Sequence, residues 1–215
     1  MTVTAKICGI NSAVAMQTAV ANGSGFVGLV FYPQSPRSIT PGTAATLAAL
    51  VPDGVTKVGL FVDPDNALLT RVLDEVPLDL LQLHGNETVD RCANIRNRFG
   101  RPVMKVIKVA TLDDVGAASD YCDAVDWLMF DAKAPSSMPD ALPGGNALPF
   151  DWTLLAGWSW PVPWMLAGGL DTDNVATAVT KSGALVVDVS SGVESVPGKK
   201  DPTEIERFLE AVADL

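Results

Sequence analysis

Short apolar runs rich in β-branched and aromatic residues recur along this chain, with segments of helical pattern between them. The runs cover residues 4–8, 26–31, 57–62, 78–83, 103–109, 127–130, 164–166 and 185–189. Most are apolar on both faces, which is typical of parallel strands covered by helices, whereas a half-exposed antiparallel strand would alternate. The sequence therefore predicts an α/β protein with a mainly parallel sheet.

Capping residues mark the ends of the intervening helices. Asn11 is the expected N-cap of the first helix, Pro41 suits the first turn of the second, and Thr111 with Asp114 forms a capping box. The expected helices cover residues 11–21, 41–51, 65–76, 88–99, a segment beginning at 111, 173–182 and 201–215. Strands and helices thus alternate along nearly the whole chain.

The 215 residues contain no Pro-, Gly- or Ser-rich linker that would divide them into domains. Eight regular βα units, with no nucleotide-type glycine fingerprint after the first strand, favour a closed barrel over a doubly wound open sheet. We expect a single (β/α)8 TIM barrel over residues 1–215, with the open sheet as the alternative. The one long irregular stretch, residues 132–148, is of a length usually associated with function.

Composition narrows the possible partners. The formal net charge of −10 argues against nucleic acid and against an anionic membrane surface, so an anionic small molecule would need a local basic or amide-rich site. No apolar run is long enough to span a membrane, and the first residues do not form an export signal. Three cysteines and one histidine offer no metal-type spacing, so we expect a cytoplasmic protein with reduced thiols and no metal site.

The carboxyl ends of the strands are where a (β/α)8 barrel carries its active site. Cys8 ends the first strand on the same face as Lys6, whose charge would favour a thiolate, although a small buried side chain is the simpler interpretation. Asp131 follows the sixth strand and is a candidate general acid or a loop-capping aspartate. Arg37 could hold a carboxylate or be a solvated loop residue, and His84 could face the mouth or form a structural hydrogen bond.

Small residues after the last two strands suit an anion site. Gly168-Gly169 follows the seventh strand and Ser190-Ser191-Gly192 the eighth, where such barrels bind phosphate through backbone amides. Gly144-Gly145 in the long loop is a third candidate element. Deeper in the barrel, parity predicts that Lys6 and Asp188 point inward from neighbouring strands and form an ion pair, since a lone buried charge would be costly.

Taken together, the motifs resemble those of the phosphoribosylanthranilate isomerase family of tryptophan biosynthesis. The similar segments are KICG at 6–9, FYP at 31–33, SPRS at 35–38, QLHG at 82–85, FDAK at 130–133, FDW at 150–152, LAGGL at 166–170 and DVSSGVE at 188–194. Each is loose alone, but they occur in the family's order over nearly the whole chain. The resemblance implies a (β/α)8 barrel that converts N-(5-phosphoribosyl)anthranilate to 1-(2-carboxyphenylamino)-1-deoxyribulose 5-phosphate, an Amadori rearrangement without cofactor.

The resemblance also implies roles for individual residues. Cys8 matches the family's general base, Asp131 its general acid and Arg37 the arginine that holds the anthranilate carboxylate. The phosphate site corresponds to Gly168, Gly169, Ser190, Ser191 and Gly192, with a contribution from the loop of Gly144 and Gly145, and we also expect His84 to contact substrate.

One position departs from the family pattern, and two other functions stay open. Ala147 stands where a glycine is expected, which would weaken phosphate binding if that residue needs a positive φ. The enzymatic alternative is the analogous sugar isomerase of histidine biosynthesis, which an aspartate in place of Cys8 would have favoured. The non-enzymatic alternative is a barrel that only binds a phosphorylated ligand. Either a monomer or a homodimer is compatible with the sequence.

Overall fold

Eight parallel strands close into a barrel in the order in which they occur in the chain, and the last pairs with the first. The structure is a computed structural model that describes residues 2–135, 137, 144–145 and 148–215. The predicted closed (β/α)8 architecture is confirmed, and the open doubly wound sheet is excluded. Each parallel strand is buried along most of its length, as the continuous apolar runs indicate.

The strands and helices alternate as expected. The barrel strands are β1 Thr4–Cys8, β2 Phe26–Val30, β3 Thr56–Phe61, β4 Leu80–Leu83, β5 Val103–Val109, β6 Trp127–Ala132, β7 Trp164–Leu166 and β8 Val186–Val189. The helices are α1 Ala13–Ala21, α2 Pro41–Ala48, α3 Asn66–Glu75, α4 Val89–Phe99, α5 Leu112–Gly116, α6 Val175–Ser182 and α7 Pro202–Ala213. Short 3-10 helices cover Ala117–Tyr121, Trp152–Leu155 and Ser191–Val193.

Local capping signals fix most helix starts. Thr88 caps α4 by accepting from Arg91 N–H, and Thr111 with Asp114 forms the predicted capping box of α5. Pro41 lies in the first turn of α2, also as predicted. That helix ends at Ala48 rather than near residue 51, so the predicted end was wrong by about one turn.

Two predicted helix starts were wrong. Ser12, not Asn11, caps α1, because the Asn11 amide instead donates to the carbonyl of Gly198 at 2.7 Å. The helix expected from residue 173 begins at Val175, because the Asp171 carboxylate accepts from the backbone N–H groups of Asp173 and Asn174 and holds them in a turn.

A two-stranded antiparallel hairpin not predicted from the sequence lies between β8 and α7. Its strands are β9 Glu194–Val196 and β10 Lys199–Lys200. The hairpin follows directly after the loop that ends β8, so it stands at the mouth of the barrel.

The apolar core consists of three clusters. The largest joins strand and helix residues, a second contains Val58, Leu80, Met104, Val106, Met129, Met165 and Ala167, and a third contains Cys8, Val30 and Leu60. Lys6 and Asp188 are register partners on β1 and β8, and the Lys6 Nζ lies 2.7 Å from the Asp188 Oδ1. The predicted ion pair is confirmed, and it forms the floor of the site described next.

Candidate active site

A pocket opens at the carboxyl ends of the strands, where a barrel of this kind carries its chemistry. Ten of the residues predicted for the site line it: Cys8, Arg37, His84, Asp131, Gly144, Gly145, Gly168, Gly169, Ser190 and Ser191. Gly192 does not. A Cβ at Gly192 would lie 2.1 Å from the carbonyl oxygen of Leu170, so close packing of two loops accounts for the glycine there.

The Cys8 thiol is buried at the end of β1. Burial raises the pKa of Cys8, the nearby Asp188 carboxylate raises it further, and the ammonium groups of Lys6 and Lys200 oppose that rise. The thiol is therefore mostly protonated at neutral pH, with two cations nearby that favour the thiolate.

The Cys8 thiol has room because the facing residue on β2 has no side chain. Gly28 is the register partner of Cys8, and a Cβ built on it would lie 3.0 Å from the Sγ of Cys8 and 3.2 Å from the Nζ of Lys6. Any larger residue at this position would displace one of the two groups.

Asp131 lies near the end of β6 and is held by two partners. Its Oδ1 accepts from the backbone N–H of Ala132 at 2.8 Å, and its Oδ2 lies 3.1 Å from the Nε2 of His84. Both side chains are buried. His84 lines the pocket, in agreement with the expectation that it faces the mouth of the barrel. Among the described residues, its ring nitrogens make hydrogen-bond contacts with Asp131 and Gln82.

Gln82 supports His84 from below, two residues earlier on the same strand face. Its Nε2 lies 3.3 Å from the His84 Nδ1, and its Oε1 is buried without a hydrogen-bond partner among the described residues. An amide can present a donor or an acceptor to the ring, so Gln82 is compatible with either neutral tautomer of His84.

Arg37 is buried at the edge of the pocket rather than solvated. Its Nε donates to the Glu194 Oε1 at 2.7 Å and its Nη2 donates to the Glu194 Oε2 at 2.9 Å. The Nε edge of the guanidinium is therefore occupied by a carboxylate that was not predicted from the sequence. The Nη1 nitrogen makes no hydrogen bond to the part of the chain that the structure describes.

The glycine pairs place backbone close to Asp131 and Arg37. A Cβ at Gly144 would lie 2.8 Å from the Asp131 Oδ2, and one at Gly145, where φ is +74°, would lie 2.6 Å from the Arg37 Nη1. Gly168 also has a positive φ of +88° and lies against Asp131 and Ala132. The expectations for Ala147 fall outside the described residues.

Two residues of the site were missed from the sequence as functional groups. Glu194 ends the DVSSGVE segment but was not predicted to have a role, and Lys200 was not predicted to belong to the site. Both residues make buried contacts with each other, and Glu194 also contacts Arg37.

Within the described ranges, no cluster of three or more His, Cys, Asp or Glu residues could hold a metal ion. No helix in those ranges is long and apolar enough to cross a membrane.

A pocket at the carboxyl ends of the strands of a (β/α)8 barrel is typical of an enzyme, and small residues in the loops after the last two strands are typical of a site for a phosphorylated ligand. Residues 5–211 match the family model described as N-(5'phosphoribosyl)anthranilate (PRA) isomerase. The chain belongs to this family, and the predicted enzyme class, an isomerase, is confirmed.

Individual relatives agree with the family model. The chain is 57% identical over 215 residues to the N-(5'-phosphoribosyl)anthranilate isomerase of Rhodospirillum centenum, covering 100% of both chains. It is 56% identical to the enzyme of the same name from Paramagnetospirillum magneticum, covering 98% of this chain and 97% of the relative. The crystal structure of phosphoribosyl anthranilate isomerase from Thermotoga maritima superposes with a TM-score of 0.87 at 34% identity, covering 99% of this chain and 100% of that one.

One similar structure contains a ligand. A phosphoribosyl anthranilate isomerase in complex with reduced 1-(o-carboxyphenylamino)-1-deoxyribulose 5-phosphate superposes with a TM-score of 0.83 at 32% identity, covering 99% of this chain and 100% of that one. The ligand carries both a ring carboxylate and a phosphate, the two anionic groups for which the sequence predicted separate sites.

Proposed function

We propose that the protein isomerises N-(5-phosphoribosyl)anthranilate to 1-(2-carboxyphenylamino)-1-deoxyribulose 5-phosphate in tryptophan biosynthesis, with Asp131 as general acid and Cys8 as general base. The observation that carries the proposal is the meeting of these two side chains in one pocket, from β6 and β1, at the carboxyl ends of the strands. The family membership supports the reaction, and the proposed division of roles follows the resemblance of Asp131 and Cys8 to the family's acid and base.

Asp131 suits the first proton transfer. Opening the furanose ring breaks the bond between the anomeric carbon and the ring oxygen, and the oxygen takes the acid's proton while the nitrogen lone pair forms a Schiff base. The carboxylate left behind accepts from the Ala132 N–H, and from His84 when the ring carries its proton on Nε2. Both contacts stabilise the ionised product of the step.

Cys8 suits the second transfer. The cationic Schiff base acidifies the proton on the neighbouring carbon, so even a thiol that is only slightly ionised can supply a sufficient base. Removal of that proton gives an enolamine, which tautomerises to the ketone as its hydroxyl loses a proton and the former anomeric carbon gains one. The substrate gains one proton and loses one, so no cofactor is needed to balance the reaction.

The substrate's two anionic ends fit two regions of the pocket. Arg37 is the proposed partner of the ring carboxylate, and the phosphate would bind at Gly168, Gly169, Ser190 and Ser191. Gly192, outside the lining, would contribute by keeping the loop after β8 close to Leu170. A basic side chain at one end and backbone amides at the other favour a single orientation of the ligand.

The direct test follows the fluorescence of freshly made phosphoribosylanthranilate after adding the purified protein. We expect rapid decay with a chelator present and no cofactor added, and no acceleration by the Cys8→Ser/Asp131→Asn double variant. Absence of decay with the parent protein, together with tight binding of the reduced product, would instead favour the barrel that only binds a phosphorylated ligand.

We also propose that the protein works in the cytoplasm as a monomer or a homodimer. All three cysteines are free in the structure, which is compatible with a reducing compartment. Among the similar structures is one described as mutually generated monomers of the dimeric Thermotoga maritima enzyme, so both states occur in that protein. Analytical ultracentrifugation of this protein would distinguish them.

A further inference from the structure

The hairpin after β8 reaches across to the loops that follow the first two strands. The Asn11 side chain, from the loop after β1, donates to the carbonyl of Gly198 at 2.7 Å. Gly198, at φ +83°, lies against the loop after β2, since a Cβ there would be 2.6 Å from the carbonyl oxygen of Pro36. The hairpin therefore contacts the segment that carries Arg37.

Glu194 is the residue through which the hairpin holds Arg37. Its Oε1 accepts from the Arg37 Nε and from the Lys200 Nζ, both at 2.7 Å. Its Oε2 accepts from the Arg37 Nη2 at 2.9 Å and from the Gly198 N–H at 3.1 Å. Burial raises the pKa of Glu194, but the Arg37 and Lys200 charges outweigh that effect and lower it, so the carboxylate is ionised at neutral pH.

Lys200 extends the same network toward the base. Its Nζ donates to the carbonyl of Ser190 at 2.8 Å and lies 3.3 Å from the Ser190 Oγ, which in turn donates to the carbonyl of Cys8 at 3.2 Å. The Lys200 side chain is 0% exposed. One buried carboxylate therefore lies between two buried basic side chains. Burial lowers the pKa of Lys200 and the Glu194 charge opposes that effect, so with Lys200 protonated the three groups carry one net positive charge.

Arg37 is the member of this cluster that lines the pocket. Because Glu194 occupies the Nε edge of Arg37, the nitrogen without a hydrogen-bond partner in the described part of the chain is Nη1. Arg37 lines the pocket together with Gly145, whose carbonyl accepts from Nη2 at 3.3 Å. A carboxylate entering the pocket would meet Nη1 of a guanidinium that is already fixed in place, and would neutralise the cluster.

We propose that Glu194 and Lys200 are positioning residues that hold Arg37 in the orientation required by the substrate's ring carboxylate. This inference rests on the proposed reaction, because it takes the carboxylate as the group that Arg37 meets. Glu194 contacts Arg37 directly through two hydrogen bonds, whereas Lys200 reaches Arg37 only through Glu194 and also donates to Ser190 in the loop proposed to bind phosphate. Preorganisation of this kind strengthens binding because the arginine loses little freedom when the ligand arrives.

The test compares two ligands by isothermal titration calorimetry. One is reduced 1-(2-carboxyphenylamino)-1-deoxyribulose 5-phosphate, and the other is the same molecule without the ring carboxylate. For the parent we expect the carboxylated ligand to bind about 10-fold more tightly or better, since hydrogen bonds to charged groups have effects of that size. In Glu194→Gln we expect that preference to fall to about 3-fold or less, because the affinity for the carboxylated ligand should fall by a larger factor than the affinity for the ligand without carboxylate.

A second variant and a control complete the experiment. Glu194→Asp keeps the charge on a shorter side chain, so it should retain part of the preference for the carboxylated ligand. If Glu194→Gln does not fold, Glu194→Asp is used for the comparison instead. Lys200→Met should weaken both ligands through Ser190, and Lys199→Met, at an exposed position of the same strand, should change neither. Circular dichroism and thermal unfolding establish that each variant is folded.

The outcomes separate the inference from the function on which it rests. The positioning role is overturned if folded Glu194→Gln prefers the carboxylated ligand as strongly as the parent does, or if its affinity for both ligands falls equally. This holds even if the parent isomerises phosphoribosylanthranilate. A parent that binds both ligands equally removes Arg37 as the carboxylate partner and the inference with it. A parent that shows the preference but no isomerisation contradicts the proposed reaction and leaves the role of Glu194 supported.

Discussion

Lys6 and Asp188 form an ion pair at 2.7 Å across the seam where the barrel closes, between the first and the last strand. Lys6 is fully buried, and burial lowers its pKa, but its interactions with Asp188 and Cys8 outweigh burial and raise the pKa overall. The Lys6 ammonium therefore stays protonated at neutral pH close to the Cys8 thiol. The same ion pair therefore connects the two strands at which the barrel closes and influences the pKa of Cys8.

Removing one partner of this pair should destabilise the protein strongly. Asp188→Asn leaves the Lys6 ammonium without a counter-charge in the interior, and we expect a loss of about 3 kcal/mol or more in the free energy of unfolding. The matched control is Glu204→Gln, which breaks the exposed pair between Glu204 and Arg207 and should cost less than about 1 kcal/mol. Urea unfolding at neutral pH measures both, and equal effects would contradict the structural role.

The assignment of acid and base predicts separable losses of activity. Cys8→Ser replaces the thiol by a hydroxyl that scarcely ionises, and Asp131→Asn removes the acid while keeping its size. Each should lower kcat by roughly 10² to 10⁴ with little change in the affinity for inorganic phosphate, because proton transfer typically contributes on that scale. Near-parental turnover in either folded variant, free of contaminating parent enzyme, would reverse the assignment.

The raised pKa of Cys8 gives the base a pH signature. A base whose pKa is raised gains its active, deprotonated form only as the pH rises, so its limb of kcat/KM should still be climbing from about pH 7 to pH 9. Cys8→Ser should lose this limb, whereas Asp131→Asn should keep it. A parent profile whose base limb has levelled off by neutral pH would point to a different base, and initial rates with purified enzyme decide this.

Gly28 should be required for activity more than for folding. The Cβ of Gly28→Ala would press on the Cys8 thiol and the Lys6 ammonium, and displacing a reacting group by about 1 Å can cost up to 100-fold in rate. We expect kcat to fall by about 10-fold or more while the variant remains folded. Gly42→Ala is the control, because nothing lies within 4 Å of the added Cβ and the position is helical. Equal activity of both variants would show that the thiol can move freely.

Strand-end positions could be predicted from the sequence because they depend on local rules. Cys8 and Asp131 follow apolar runs whose ends are marked by the switch to polar residues, and parallel strands bring such ends together at one face. The alternation of inward and outward side chains along β1 and β8 was enough to predict that Lys6 lies opposite Asp188. These inferences need only the order of the strands and the closure of the barrel.

Long-range partners could not be predicted in this way. Glu194 meets Arg37 across 157 residues, through a hairpin that has only five strand residues and a glycine turn as its local signal. Asn11 and Ser12 are equally good N-caps by type, and only the carbonyl of Gly198, 187 residues away, decides between them. Local propensity does not contain such contacts.

The contact of His84 with Asp131 suggests a test that separates a substrate-binding role from a positioning role. His84→Asn keeps a polar side chain but is too short to reach the Asp131 Oδ2, which lies 3.1 Å from the Nε2 of His84 in the parent. If His84 acts by positioning Asp131, kcat should fall by about 10-fold while the Kd for reduced 1-(2-carboxyphenylamino)-1-deoxyribulose 5-phosphate changes little. If His84 holds the substrate itself, the Kd should rise by a similar factor. Calorimetry and kcat, measured for His84→Asn alone and combined with Asp131→Asn, distinguish the two, because the fall in kcat from a positioning role should disappear once Asp131 is already replaced.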